Sequence, residues 1–151
     1  MSTRRIVIGL DGSLGAAAAV QWCAATAPAL DADVVAVNAL KPAASILAAS
    51  SPAEIPAIVD DSAIEASIHE EMASELEEWC KPLRDAGVSY RSHVVDGGVI
   101  DALVIVAREV VADLVVVGHE KHGGIKEKLL GSVPNHLLHD CACPVVVVPA
   151  S

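Results

Sequence analysis

Hydrophobic positions along this chain fall into two rhythms. Short apolar runs stand at Arg5 to Leu10 (RIVIGL), Asp33 to Leu40 (DVVAVNAL), Leu114 to Val117 and Val145 to Val148, with Tyr90 to Val95 as a further run. They are short and β-branched, so each predicts a strand. Longer stretches lie between them. Leu14 to Ala27 is a run of small residues with Ser13 placed to cap it, and Ile64, Ile68, Met72, Leu76, Trp79 and Leu83 recur at three- and four-residue spacing. The first predicts a helix, and the second marks one apolar face of a helix from about Asp61 to Ala86, which Pro82 should end or kink. Gly87 stops it. Gly98 to Val110 and Ser132 to Asp140 predict two more helices, while Lys41 to Asp60, with Pro42, Pro52 and Pro56, reads as irregular.

Strands that are apolar throughout and alternate with helices specify a parallel sheet covered on both faces and joined by right-handed crossovers. The predicted fold class is α/β: a doubly wound, Rossmann-like, five-stranded parallel sheet in a single domain over residues 1–151. Such sheets bind ligands at the carboxyl ends of the strands, where the winding reverses. Chemistry is therefore expected in the loops after the first and fourth strands.

Composition narrows the partners. The formal net charge is −10, which repels nucleic acid and anionic membrane surfaces, so any anionic ligand needs a local site. No apolar run reaches the roughly 18 residues of a membrane span, and Met1 to Arg5 carries no signal-peptide core, so a cytoplasmic location is expected. Cys23, Cys80, Cys141 and Cys143 are irregularly spaced in a chain large enough to fold without crosslinks, and are read as reduced thiols.

After the first strand, Gly9-Leu10-Asp11-Gly12-Ser13 places a carboxylate beside two glycines. Asp11 can accept from a ribose or base, or Asp11 and Ser13 can simply cap the first helix. After the fourth strand the chain reads VVVGHEKHGG, and three of its ten Lys and Arg side chains (Lys121, Lys126 and Lys128) fall within eight residues before Gly131-Ser132 opens a helix. Converging backbone N–H groups, a helix N-terminus and a serine hydroxyl are the parts of a phosphate cradle. A glycine-rich surface loop is the alternative. Neither a Walker A loop nor a G-x-G-x-x-G turn is present.

These residues resemble the universal stress protein family, many of whose members bind ATP. The family signature is Gly, two residues, Gly, nine residues, then Gly followed by Ser or Thr. Gly118 and Gly131-Ser132 match its ends, whereas Lys121 stands at the second glycine. The likeness extends through IVIGLDGS, GVIDALVIVAREVVADLVVVG, LLGSV and CPVVVVP. It implies that Gly9, Leu10 and Asp11 lie along adenine and ribose, and that Ala39 offers its backbone to the adenine edge. Gly118 would face the ribose and first phosphate, Gly131, Ser132 and Val133 the outer phosphates, and Lys121 would add an ammonium there or obstruct them. The implied function is an ATP-binding stress regulator, with Mg as a possible companion of the nucleotide. Binding would order the loop from His119 to Leu130. Hydrolysis is expected to be slow or absent, since Asp11 is the only acid expected near the site. The alternatives are a binder of AMP or cyclic AMP, and a noncatalytic interaction module that has lost nucleotide binding. The resemblance also implies a homodimer through the last strand, Val145 to Val148, whose apolar edge would otherwise invite aggregation.

Three other groupings carry less. His136, His139, Cys141 and Cys143 lack paired zinc-ligand spacing. The run Glu70, Glu71, Glu75, Glu77 and Glu78 is the solvated face of an amphipathic helix. Ser13, His119 and Asp11 can be written as a triad, but no nucleophile elbow supports it.

Overall fold

The computed structural model describes residues 3–40, 61–120 and 132–150. Five strands, β1 (Arg4–Gly9), β2 (Ala32–Leu40), β3 (Tyr90–Asp96), β4 (Leu114–His119) and β5 (Val145–Pro149), form one sheet. All pairings are parallel, in the order β3-β2-β1-β4-β5. The chain winds outward from β1 to β3, then returns across β1 to β4 and β5. The winding therefore reverses between β1 and β4.

Strand alternation divides the core in two. Ile6, Ile8, Val34, Ala36 and Val116 face α1 (Leu14–Leu30), α2 (Asp61–Trp79) and α3 (Lys81–Asp85). Val7, Val35, Val37, Val115 and Val117 face α4 (Val99–Glu109) and α5 (Ser132–Asp140). The central strands are buried on both sides, which is why they carry no polar alternation. The expected doubly wound architecture is the one formed.

Two boundaries differ from the sequence reading. The first helix does not stop at Ala27 but runs through Pro28 to Leu30, where Asp31 adopts the left-handed conformation with φ 50°. Pro28 lies in the last turn and costs the helix the one N–H bond that its own residue would have made. The helix expected from Asp61 to Ala86 is two helices, broken at Cys80, with Pro82 in the first turn of α3. That is where a proline is tolerated. Leu76 and Leu83 of the predicted face are fully buried, while Ile64, Ile68, Met72 and Trp79 are half-buried. The segment 41–60 lies outside the described residues.

A polar network welds α2 and α3 to the edge strand β3. Ser92 Oγ donates to Glu77 Oε1 at 2.6 Å, Tyr90 Oη to Glu77 Oε2 at 2.7 Å, and Arg84 donates to the Glu77 carbonyl at 2.6 Å. The serine and tyrosine hydroxyls, then the Arg84 charge, hold the Glu77 carboxyl below its usual range. One of the five predicted glutamates thus holds the fold together.

Two helices end in the same motif with different residues. At α3, Gly87 (φ 71°) lets its own N–H reach Arg84 O and the Val88 N–H reach Leu83 O. At α4, Val111 (φ 53°) does the same, with its N–H on Arg108 O and the Ala112 N–H on Ala107 O. A left-handed valine costs about 1–2 kcal/mol, and glycine gives back part of that gain in chain entropy. Val111 is 76% exposed, so little burial is lost on its removal. Val111→Gly should therefore stabilise the protein by about 1 kcal/mol, raising Tm by about 2–4 °C in calorimetry. An unchanged or lower Tm would show that the valine side chain has a partner.

Candidate functional site

β1 and β4 are neighbours at the switch point, where the carboxyl ends of the strands frame the crevice in which doubly wound sheets bind ligands. On its β1 side the chain leaves the sheet at Leu10, whose N–H still donates to Val37 O at 2.9 Å. Leu10 is buried, so its side chain belongs to the core, and its carbonyl accepts from Asn38 Nδ2 at 2.8 Å. Asn38 is the buried polar residue among those described, and its Oδ1 has no partner there. Gly9 faces α4, where an added Cβ would come within 3.2 Å of Leu103 Cδ1.

The Asp11-Gly12-Ser13 turn is built by its own side chains. Ser13 N–H donates to Asp11 Oδ1 at 2.9 Å, and Ser13 Oγ accepts from Ala16 N–H at 3.1 Å, capping α1. Gly12 has φ 80°, and a Cβ there would meet the Trp79 ring at 2.7 Å. The capping roles foreseen for Asp11 and Ser13 are filled, and Asp11 remains exposed.

The expectation that Asp11 is the only acid near this crevice is corrected. Glu120, just past β4, accepts the Leu14 N–H at 3.0 Å through Oε1. Glu120 and the Ser13 hydroxyl thus take the Leu14 and Ala16 N–H groups of α1, and two carboxylates lie at its partial positive charge. Ser132 and Val133 open α5. Pro134, in the same turn, has no N–H to satisfy and is buried.

Gly118 is a glycine for a reason the signature does not contain. A Cβ on it would lie 2.1 Å from Gly15 C, 2.2 Å from Gly15 O and 2.5 Å from Ala16 N. It lets the first turn of α1 rest on β4. Gly15 is the counterpart, its own Cβ position 3.0 Å from His119 N. Beside them, His119 O accepts the Ala150 N–H at 2.8 Å.

Ala39 sits past the last rung of β1, since Gly9 pairs with Val37 and Ala39 pairs with Val95 on β3. Peptide groups alternate sides along a strand. Val34 N–H bonds Ser89 on the β3 side and Val37 O bonds Leu10 on the β1 side, so Ala39, in phase with Val37, turns its backbone toward the end of β1. Its methyl packs with the α4 and α5 side of the core. Val133 is half-buried on that same side. Lys121 and Gly131 lie outside the described residues, as do Gly123, Gly124, Lys126 and Lys128, and Ser132 is described by its backbone alone.

A cavity of ≈ 500 Å³ runs from the loop after β1, at Leu10, Gly12 and Ser13, along α1 to Trp79 and Pro82, and neither Ala39, Gly118 nor Val133 lines it. His136 and His139 are exposed on α5. Among the described residues no three His, Cys, Asp or Glu side chains are grouped as a metal would need.

Sequence reasoning missed Glu120, Asn38, Gly15 and Trp79. Asn38 had a signal, being the one uncharged polar residue in DVVAVNAL. Glu120 and Gly15 had none, because their partners lie about a hundred residues away.

The family model described as the universal stress protein family matches residues 2–149. A universal stress protein of Methanocaldococcus jannaschii is 28% identical over 145 residues, 96% of this chain and 81% of that protein. One of Mycobacterium tuberculosis is 31% identical over 146 residues, 97% of this chain but 45% of that protein. Relatives from Arabidopsis thaliana and Coxiella burnetii are matched over 31% and 57% of their own lengths, so the match spans only part of the length of these relatives. Among solved structures, a universal stress protein in complex with cAMP is 26% identical, with a TM-score of 0.69 and 100% of both chains covered. An Archaeoglobus fulgidus universal stress protein in complex with dAMP has a TM-score of 0.63 at 22% identity, with 98% of this chain and 99% of that one covered, and shares the fold.

Proposed function

This chain belongs to the universal stress protein family, and from that premise we propose that it is an adenine-nucleotide-binding regulator whose ligand lies across the carboxyl ends of β1 and β4. The observation that carries this reading is that both ends of the family's phosphate signature belong to elements at this end of the sheet, Gly118 to β4 and Ser132 to α5. Asp11 and Glu120 already accept N–H groups at the start of α1, and α5 begins with Ser132, the last residue of the family's phosphate signature. Adenine would lie toward Ala39, ribose toward Asp11, and the phosphates toward Ser132, Gly131 and Lys121. The residues fit the nucleotide in one further respect: the Ala39 peptide edge lies beyond the β1 ladder, so a base edge can continue it.

ATP, with or without Mg, is the first reading. AMP or cyclic AMP is the second, favoured by the cAMP-bound relative. Hydrolysis is slow or absent in either case, because Asp11 and Glu120 are each engaged by a backbone N–H rather than aimed at a water. Turnover should stay below about 1 per second. The protein would act in the cytoplasm as a homodimer through β5, which is paired to β4 on one side only. Light scattering at micromolar concentration should give twice the monomer mass, and a monomeric mass would refute this.

The deciding test denatures freshly purified protein, separates released nucleotide by chromatography, and titrates the emptied protein with Mg-ATP, AMP and cyclic AMP by calorimetry. Stoichiometric binding is expected, weakened about tenfold or more in Ser132→Ala, as for losing one hydrogen bond to a charged group. No released nucleotide and no heat at millimolar ligand would leave the interaction module instead.

A further inference from the structure

Trp79, the last residue of α2, reaches across to the turn that follows β1. A Cβ on Gly12 would stand 2.7 Å from Trp79 Cζ2, 3.2 Å from Cε2 and 3.3 Å from Cη2, so the six-membered ring of the indole rests against the glycine. Gly12 is the loosest link of that turn. Its φ of 80° lies where side chains are rarely accommodated, and it has no side chain of its own to restrict it. The hydrogen bond that closes the turn, from Ser13 N–H to Asp11 Oδ1 at 2.9 Å, spans this residue. The indole supplies the wall that the glycine lacks.

That wall is anchored from both sides. Two residues before it, Glu77 accepts Ser92 Oγ and Tyr90 Oη of β3 at 2.6 and 2.7 Å. Immediately after it, Cys80 is fully buried and its N–H donates to Leu76 O at 3.1 Å. The indole itself packs against the α1 side of the core. Trp79 and Gly12 also line the same ≈ 500 Å³ cavity, so without the indole this side of the turn would face open space. The group that the turn presents is Asp11. Its Oδ1 is committed to Ser13 N–H, whereas Oδ2 has no partner among the described residues, and the side chain is exposed. A carboxylate fixed through one oxygen can accept a hydroxyl through the other in a defined direction.

We propose that Trp79 is a positioning residue for ribose recognition: by packing on Gly12 it fixes the Asp11-Gly12-Ser13 turn and holds the free Asp11 oxygen ready for a ribose hydroxyl. This rests on the reading that an adenine nucleotide binds with its ribose toward Asp11. Trp79 acts through Asp11 and does not itself touch the ligand. An acceptor held in place before binding spares the cost of ordering it when the ligand arrives. The property that Trp79 controls is therefore the preference for a sugar that carries its hydroxyls.

Nucleotide-free wild type, Trp79→Leu, Asp11→Ala and the double variant are titrated by calorimetry with ATP and with its dideoxyribose analogue, which lacks both sugar hydroxyls. Amide exchange at Ser13 is followed by NMR in the wild type and in Trp79→Leu without nucleotide. Leucine keeps apolar bulk in the core, and each protein supplies its own ratio of the two affinities, so a general loss of stability cancels. The wild type should prefer ATP by about tenfold or more, as for one hydrogen bond to a charged group. Trp79→Leu should lose most of that preference, and its Ser13 amide should exchange faster relative to the amides of β1. The double variant should show the same ratio as Asp11→Ala, because two changes to one interaction do not add. A wild-type ratio in Trp79→Leu, unchanged Ser13 exchange, or a further fall of the ratio in the double variant would overturn the assignment. Wild type that binds both nucleotides equally would overturn the ribose role and leave nucleotide binding standing. Wild type that binds neither would overturn both.

Discussion

Gly118→Ala should lower the free energy of unfolding by about 4 kcal/mol or more, placing it among the exceptional single substitutions. The new Cβ would lie 2.1 Å from Gly15 C and 2.2 Å from Gly15 O. Both are backbone atoms of the first turn of α1, so no rotamer change relieves the clash. The helix must lift from β4, opening the contact that buries Ala16, Ala19 and Val20 against the sheet. A domain of this size has about 5–15 kcal/mol in total, so the variant should be marginal. Urea unfolding gives the comparison directly. Gly15→Ala is the graded control, since its Cβ would stand 3.0 Å from His119 N and a shift of a few tenths of an ångström accommodates it, at about 1–2 kcal/mol. Equal midpoints for Gly118→Ala and the wild type would show that the helix and strand are not in this close contact. If Gly118→Ala also loses nucleotide, the loss follows from the displaced helix and does not identify a ligand contact. Ser132→Ala is the informative variant for that.

The second large effect is expected at Asn38. Asn38→Asp replaces the Nδ2 donor to Leu10 O with a carboxylate oxygen at a position only 5% exposed. An uncompensated buried charge costs about 3–5 kcal/mol. The pH dependence has a definite sign. Burial raises the folded-state pKa of the new carboxyl above its unfolded value of about 3.9. The folded state then binds the proton more tightly, so the variant is least impaired below the unfolded pKa. The deficit relative to wild type should grow as pH rises through the interval between the two pKa values, then level off. Urea midpoints at a series of pH values check this. A gap that stays constant from about pH 4 to 7 would mean that the carboxylate remains solvated. The site is affected too, because Asn38 precedes Ala39 and ties the end of β2 to the end of β1.

Much of this was legible from local pattern. The strands announced themselves as β-branched runs, Ser13 as the cap of α1 and Gly87 as the stop of α3, because each depends on residues within a few positions. The α2–α3 break at Cys80 was less legible, since the apolar spacing continues through Leu83 across it and Pro82 can either kink a helix or begin one. Val111 was invisible, as nothing in its sequence marks a valine that must do what Gly87 does at the other helix end.

By itself the sequence determined the layered class and the strand and helix order, because periodicity and β-branching act locally, and a doubly wound sheet of that order brings the loops after its first and fourth strands together. Only the tertiary structure decided which groups at that crevice are already spoken for. Glu120 reaches Leu14 across 106 positions, Gly118 meets Gly15 across the helix–strand interface, and Asn38 joins two strand ends. Such pairings follow from the register and docking of whole elements, so no window of neighbouring residues contains them.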